Sequence, residues 1–262
     1  MRASFEPAPK LVRLPAFFSL VFALSIPFWF LGGATDLQLM PGLSVSALMG
    51  FCPMIAAVVL VYCDRGAAGS LVLLMRCFDF KRIASASWLV PVFLLMPAVS
   101  LMVYGLMRGM GMPMPDLQFH LLPALLMFIA FFVEGLGEEL GWSGYALEPL
   151  QARYGALGAS LLLGLVGILW HITPLMQMDR SLTWITWWCL YALAFRILTV
   201  WIFNNTGKSV FAAALFHATL NLSYAFFPNY GSHFDIRLGG LVMAVVAVVM
   251  VVLWGPKTLT PK

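Results

Sequence analysis

Apolar residues along this chain come in long, nearly unbroken runs separated by short stretches that hold most of its charge, glycine and proline. Eight such segments can be marked, at about Ala16–Leu31, Leu43–Tyr62, Trp88–Met107, Leu121–Tyr145, Leu157–Leu175, Leu182–Phe203, Ser209–Phe227 and Leu238–Trp254. A helix that crosses the hydrocarbon core of a bilayer takes about 20 apolar residues. The pattern therefore predicts an all-α protein, a polytopic membrane helical bundle of about eight transmembrane helices. Pro27, Pro53, Pro91 and Pro97 fall within the segments, which bundled membrane helices accommodate because neighbours satisfy the carbonyls that proline frees. No internal repeat is visible, in contrast to transporters built from duplicated halves.

Composition narrows the class. Of the 262 residues, 62% are hydrophobic and 10% charged, with a mean hydropathy of +0.93. Soluble domains run at about 45–50% apolar and about 25% charged, so a soluble domain, a disordered tail and a nucleic-acid binder are excluded. Residues 1–262 are expected to form one integral membrane domain, with the lipid bilayer as surroundings and no nucleic-acid partner. The net charge of +4 then reads as a set of topology signals, because Lys and Arg are retained on the cytoplasmic side. With eight spans and the N-terminus inside, the inner side holds Arg2, Lys10, Arg13, Arg65, Arg76, Lys81, Arg82, Arg153, Lys208, Lys257 and Lys262. The outer side holds Arg108, Arg180 and Arg237, and Arg196 lies inside the sixth segment. This bias predicts a multi-pass protein of the cell membrane with both termini in the cytoplasm. The first segment exceeds the about 7–15 residues of a secretory h-region and reads as a retained helix. Cys52, Cys63, Cys77 and Cys189 form no CxxC pair and read as small buried hydrophobes rather than a disulfide or zinc framework.

Charge is costly in hydrocarbon, so an ionisable group inside a span marks a functional site by default. The fourth segment reads FFVEGLGEELGWSGYAL and holds Glu134, Glu138 and Glu139. The fifth carries His171 in GILWHITPL, and the seventh carries His217 and Asn221 in AALFHATLN. Residues four apart share a helix face, whereas consecutive residues point about 100° apart. Glu134 and Glu138 thus share a face from which Glu139 turns away, and His217 and Asn221 aim at one neighbour. Gly137 with Gly141, and Ala156 with Ser160 and Gly164, form small-residue stripes that let helices approach closely. At about 1.5 Å per residue from the expected cytoplasmic ends, Glu138 lies at roughly 10 Å, His217 and Asn221 at roughly 12–18 Å and His171 at roughly 21 Å. Helix tilt, shifted helix ends or a kink at Gly141 and Gly144 would absorb this spread, so the depths permit convergence around a cavity expected to open to the cytoplasm. A buried glutamate beside an imidazole can activate water as general base, and a histidine with an asparagine can donate to the resulting oxyanion. The residues alone leave a hydrolase, a metal site and a proton relay open.

In order along the chain, EELGWSGYALEPL, GILWH and NNTGKSVFAAALFHATLN resemble the three motifs of the CAAX-protease and bacteriocin-processing (Abi) family. These are intramembrane glutamate-dependent endopeptidases related to type II CAAX prenyl endopeptidase. The resemblance runs from about Glu138 to Asn221 and sets a catalytic core at about residues 121–227. It implies that Glu138 and His171 hold and activate the water, and that Glu139 orients the site or binds substrate. His217 and Asn221 would form the oxyanion hole. It further implies no metal or other cofactor, and a peptide or protein substrate at or within the membrane, prenylation not assumed. Two positions depart from the pattern: Ser143 stands at the arginine of EExxxR, and Gly167 at the phenylalanine of FxxxH. Arg153 and Arg196 are the candidates to replace that arginine in space.

Several residues carry plainer expectations. Glu134 lies outside the motif and is expected to pair with a neighbour or with Arg196. Trp170 reads as packing, His120 and His233 as interfacial, and Trp184, Trp187 and Trp188 as a membrane-interface belt. The competing functions are a catalytically silent relative that scaffolds a partner, a zinc peptidase and a proton-coupled transporter. Ser143 keeps the first alive; the absence of HExxH and of internal repeats stands against the other two.

Overall fold

In hydrocarbon a backbone N–H or C=O finds no partner outside its own segment, so apolar chain becomes helix. The computed structural model describes residues 11–40, 43–118 and 120–261, and each of the eight apolar segments gives one helix. These are α1 (Leu14–Ala34), α2 (Cys52–Leu74), α3 (Leu89–Gly109), α4 (Leu121–Gly141), α5 (Leu147–Gln177), α6 (Leu182–Asn205), α7 (Val210–Ala225) and α8 (Ile236–Trp254). Arg2, Lys10 and Lys262, used in the charge count, lie outside the described residues. By length and hydropathy six helical stretches qualify as spans; one runs 57 residues through α4 and α5, while α7 falls short. "About eight" therefore holds for helices and is approximate for full spans.

Two connections differ from the sequence expectation. Leu43 opens no helix: β1 (Gln38–Met40) and β2 (Leu43–Ser44) pair antiparallel, and a 3-10 turn at Val45–Phe51 follows. Pro53 accordingly sits in the first turn of α2, where its missing N–H forfeits no helical bond. Between α4 and α5 the helix widens into a π-turn at Trp142–Ala146 and continues to Gly155, where φ is +70°. That left-handed backbone, which glycine adopts without strain, reverses the chain into the membrane-crossing part of α5.

Both small-residue stripes are contact faces. A Cβ on Gly141 would lie 2.5 Å from the backbone of Pro53, and one on Gly137 would lie 2.8 Å from the Gly50 carbonyl oxygen. A Cβ on Gly164 would lie 2.6 Å from the Leu193 side chain of α6. Helix α4 thus packs between α2 and α7, and α5 packs on α6 and α1. Trp170, fully buried, donates from Nε1 to Ser25 Oγ on α1 at 2.7 Å.

Polar bonds lace one end of the bundle, the end where α1 starts and α8 finishes. Arg76 donates to the carbonyls of Gly144 (2.7 Å) and Lys208 (2.8 Å). Asp79 accepts from Ser209 Oγ and from the backbone N–H groups of Val210 and Phe211, capping α7 from another element. Asn204 bonds Gln151 and the Thr258 carbonyl, and Asn205 donates to Leu259 O. Ala156 and Leu157 donate to the carbonyls of Lys257 and Pro256. We refer to this as the closed end. Among the cysteines, Cys52 and Cys77 are buried as expected, Cys189 partly so, and Cys63 is exposed because it lies on the outer face near the end of α2's first half.

Candidate active site

Consecutive glutamates on α4 meet different surroundings, as helical geometry requires. Glu138 accepts from Trp142 Nε1 one turn on, at 3.2 Å, and lines an internal cavity. Glu139 is fully buried and absent from the cavity wall. Arg196 Nη1 lies between its two carboxylate oxygens, at 3.1 and 3.0 Å, and His217 Nδ1 approaches Oε1 at 3.1 Å. Ser143 Oγ also donates to Glu139 Oε2. A carboxylate with no water around it is tolerable only when charge and hydrogen bonds compensate it, and here three side chains do so. The π-turn begins directly beneath this pair, and Trp142 and Ser143 within it make the two i,i+4 bonds to the glutamates.

His171 on α5 holds Nδ1 2.8 Å from the Gly167 carbonyl oxygen. A carbonyl only accepts, so Nδ1 carries the proton and Nε2 is left with its lone pair. His217 holds Nδ1 against a carboxylate, which likewise fixes a proton on that nitrogen. Both imidazoles line the cavity with Glu138, and Asn221 joins them one turn beyond His217. The five residues picked from the sequence thus come to one place from α4, α5 and α7, four on the cavity wall and Glu139 just behind it.

The remaining expectations divide. Arg196 pairs with Glu139 rather than with Glu134, because Glu139 is the carboxylate that α4 turns towards α6. Glu134 instead lines the cavity one turn above Glu138. Arg153 is exposed near the closed end and plays no part. The tryptophan belt is also corrected. Trp184 and Trp188 face inward, with the Arg180 guanidinium 4.7 Å above Trp184 and the His171 ring 5.4 Å from Trp188. Trp187 packs against the core. The signal was present in the spacing of Trp184, Trp188, Tyr191 and Phe195, which share one helix face and all line the cavity. Among the described residues no three His, Cys, Asp or Glu side chains are grouped to hold a metal ion, and both Glu139 oxygens are already engaged.

The cavity has a volume of about 330 Å³ and is walled chiefly by α4, α5, α6 and α7. Its mouth lies at the end of the bundle opposite the one where α1 starts and α8 finishes. Beyond the glutamates the wall continues through Met127 of α4, Met178 and Arg180 after α5, and Ser44, Ser46 and Tyr230 in the connections at the end opposite the closed one. Below the glutamates, Trp142, Ser143 and Tyr145 are buried and form a floor. His171 and Asn221 lie towards the open-end termini of α5 and α7, six and four residues from Gln177 and Ala225.

Gly167 marks one further departure. A Cβ built there meets no atom within 4 Å, and the residue lines the cavity. A phenylalanine at this position would project into that space, so glycine leaves the cavity wider.

With this geometry in place, residues 120–223 match the family model described as type II CAAX prenyl endopeptidase Rce1-like. The chain is also 27% identical, over 95% of its own length and 96% of the relative's, to a protein of Methanococcus maripaludis described as CAAX prenyl protease 2. The apolar helical bundle and these likenesses agree: residues 120–223 are similar to the Rce1-like model, and the chain is a membrane-embedded peptidase.

Proposed function

We propose that this protein hydrolyses a peptide bond inside the membrane by direct attack of water, using Glu138, His171, His217 and Asn221 on the cavity wall and Glu139 behind them. The observation that carries this reading is the chain Arg196–Glu139–His217, which fixes one imidazole at the edge of a cavity that also holds a carboxylate and a second imidazole. The Nε2 lone pair of His171 and the carboxylate of Glu138 take the proton as water attacks the carbonyl carbon. His217 acts as an imidazolium: Nδ1–H stays on Glu139 and Nε2–H donates to the oxyanion, with the Asn221 amide as second donor. Collapse of the tetrahedral intermediate breaks the C–N bond, and the proton held by Glu138 or His171 goes to the leaving amine. Ser143 and Arg196 together supply what the missing motif arginine would, which favours an active enzyme over a silent scaffold.

The substrate is a peptide or protein segment held at the membrane, and the apolar walls of Phe131, Leu163, Trp184 and Trp188 suit an extended, largely apolar stretch. The test is cleavage of a library of internally quenched peptides, with and without a prenylated cysteine, by the purified protein in lipid nanodiscs. Glu138→Gln keeps an acceptor for Trp142 and removes the base, and His171→Ala removes the other; each is expected to lower turnover by about 10²–10⁴-fold. Turnover within twofold of the parent in both variants would sink the mechanism.

A further inference from the structure

Attack of water through Glu138 and His171 leaves one carboxylate of the cavity without a task. Glu134 stands one turn before Glu138 on α4 and lines the same cavity as His171, His217 and Asn221. Packing fixes its place. A Cβ on Gly50, in the 3-10 turn ahead of α2, would lie 3.0 Å from Glu134 Cγ and 3.5 Å from Oε1. On either side along α4, Val133 is exposed, and a Cβ on Gly135 would lie 3.1 Å from the Ala214 carbonyl oxygen of α7. The stem of Glu134 is thus held against the turn before α2, and its carboxylate faces the cavity.

The three glutamates of α4 differ in how they are partnered. Glu138 accepts from Trp142, and Glu139 has Arg196, His217 and Ser143, whereas among the described residues nothing is hydrogen-bonded or ion-paired to Glu134. The cations of the cavity wall are committed elsewhere: Arg196 and His217 to Glu139, and the Arg180 guanidinium over Trp184. A carboxylate facing apolar walls without a counter-charge is costly, and a like charge one turn away on the same face adds repulsion. The pair is suited to a cation. Groups four residues apart on a helix are about 6 Å apart along its axis. An ammonium donates to a carboxylate oxygen at about 2.8 Å, so one set between Glu134 and Glu138 touches both.

Hydrolysis itself supplies such a cation. As water attacks, one of its protons passes by way of Glu138 or His171 to the leaving nitrogen, and the C–N bond breaks to give an amine and a carboxylic acid. The second proton of that water then moves from the acid to the amine. One product is left as a carboxylate, beside the His217 and Asn221 donors that held the oxyanion, and the other as an ammonium. We propose that Glu134, with Glu138, receives this ammonium, holding the new amino terminus of the leaving product apart from the new carboxylate and so opposing the reverse reaction. This rests on the hydrolase reading and adds to it a product-binding residue outside the three motifs.

The test measures binding to the full protein in nanodiscs by isothermal titration calorimetry, which needs no turnover. The probes are Leu-Phe-Ala amide with a free amino terminus, the same peptide acetylated at that terminus, and acetyl-Lys-Phe-Ala amide, which carries its ammonium on a side chain instead. The parent is expected to bind the free amine at least about tenfold more tightly than the acetylated form, as a charge-assisted hydrogen bond gives. Glu134→Gln keeps the size and removes the charge. It is expected to cut that preference to about threefold or less while binding the acetylated peptide as the parent does, and Glu134→Asp is expected to restore part of the preference. A parent that binds the free and acetylated peptides equally overturns the proposal whatever the variants do, and so does a preference that survives in Glu134→Gln. Tightest binding of the lysine probe, lost in Glu134→Gln, also overturns it, because the site would then serve a substrate side chain. Absence of cleavage by the parent sinks the hydrolase reading; absence of the amine preference in a parent that cleaves sinks this inference alone.

Discussion

At the closed end of the bundle, Arg76, Asp79, Asn204 and Asn205 bind backbone groups of other elements, so that loops, helix ends and the chain after α8 are held in one network. Among the described residues, the polar contacts at the open end include a local pair, Asp235 with Arg237 two residues on, and one longer tie, Gln177 donating to the Trp29 carbonyl. The glutamates lie where these two regions meet. Rigid polar anchoring below and loosely tied aromatic walls above suit a site whose reacting groups must be fixed while its occupant comes and goes. Substitutions at the join and in each half can separate residues that anchor from residues that admit substrate.

The largest effect is expected at the join. Arg196→Gln leaves the Glu139 carboxylate buried with Ser143 and His217 as its remaining partners. Removing one member of a buried ion pair costs about 3–5 kcal/mol, and freeing His217 by even about 1 Å lowers kcat by about 10²-fold. Arg196→Lys restores the charge but not the planar group and is expected to recover turnover in part, with KM little changed. Adding Glu139→Gln to Arg196→Gln is expected to recover thermal stability without recovering kcat. Thermal midpoints and kcat–KM pairs measured in nanodiscs check this. An unaltered kcat in Arg196→Gln would detach the ion pair from catalysis and reduce it to scaffolding.

Asp79→Ala probes the anchored half alone. It removes the cap on α7 and one neutralising partner of both Arg76 and Arg82. Loss of a cap costs about 0.5–2 kcal/mol, and a protein of this length loses about 2–4 °C of thermal midpoint per kcal/mol. KM is expected to stay within twofold, because the substrate path does not run through this end. A KM raised more than fivefold with the midpoint unchanged would reverse the roles assigned to the two ends.

Gly167→Phe probes the permissive half. No atom lies within 4 Å of a Cβ there, and the residue lines the cavity, so the new ring is directed into the cavity and narrows it. Glycine within a helix is unfavourable by up to about 1 kcal/mol, so the thermal midpoint is expected to hold or rise. KM for peptides with bulky residues at the scissile bond is expected to rise about tenfold, and small-residue peptides are affected little. Gly167→Ala serves as control and is expected to leave KM unaltered.

Much of this was legible in the chain because membrane insertion leaves few choices. Eight apolar runs became eight helices, and the i,i+4 arithmetic placed Glu138 and Glu139 on different faces. The small-residue stripes at Gly137, Gly141 and Gly164 marked contact faces, since in lipid close backbone approach is what holds helices together. Partnering across helices was harder to read. Arg196 pairs with Glu139 because α6 lies behind α4, and no spacing within either segment states that. The direction of the cavity was hidden for the same reason, although Glu134 on the face of Glu138 pointed towards the open end. Trp184 and Trp188 misled because an indole near a span end is ordinarily interfacial, and only packing decides whether it faces lipid or a neighbouring helix.

The smallest effect separates the two ends by pH. Asp235 caps α8 by accepting from the N–H groups of Arg237 and Leu238, and the Arg237 guanidinium hydrogen-bonded to it holds its carboxyl below the ordinary range. Asp235→Ala is expected to cost about 1 kcal/mol as a lost N-cap, with little added by the Arg237 pair because water screens it. A carboxyl whose pKa is depressed in the folded protein stabilises it above the unfolded value, about 3.9, and that contribution is lost as pH falls through the lower folded value. The midpoint difference between the parent and Asp235→Ala is therefore expected to be constant from pH 8 to about 5 and to shrink in stronger acid, with cleavage at neutral pH unchanged. A fall in turnover of Asp235→Ala at neutral pH would mean that the start of α8 is coupled to the catalytic groups. The open end would then be part of the anchored scaffold rather than a boundary that substrate can cross.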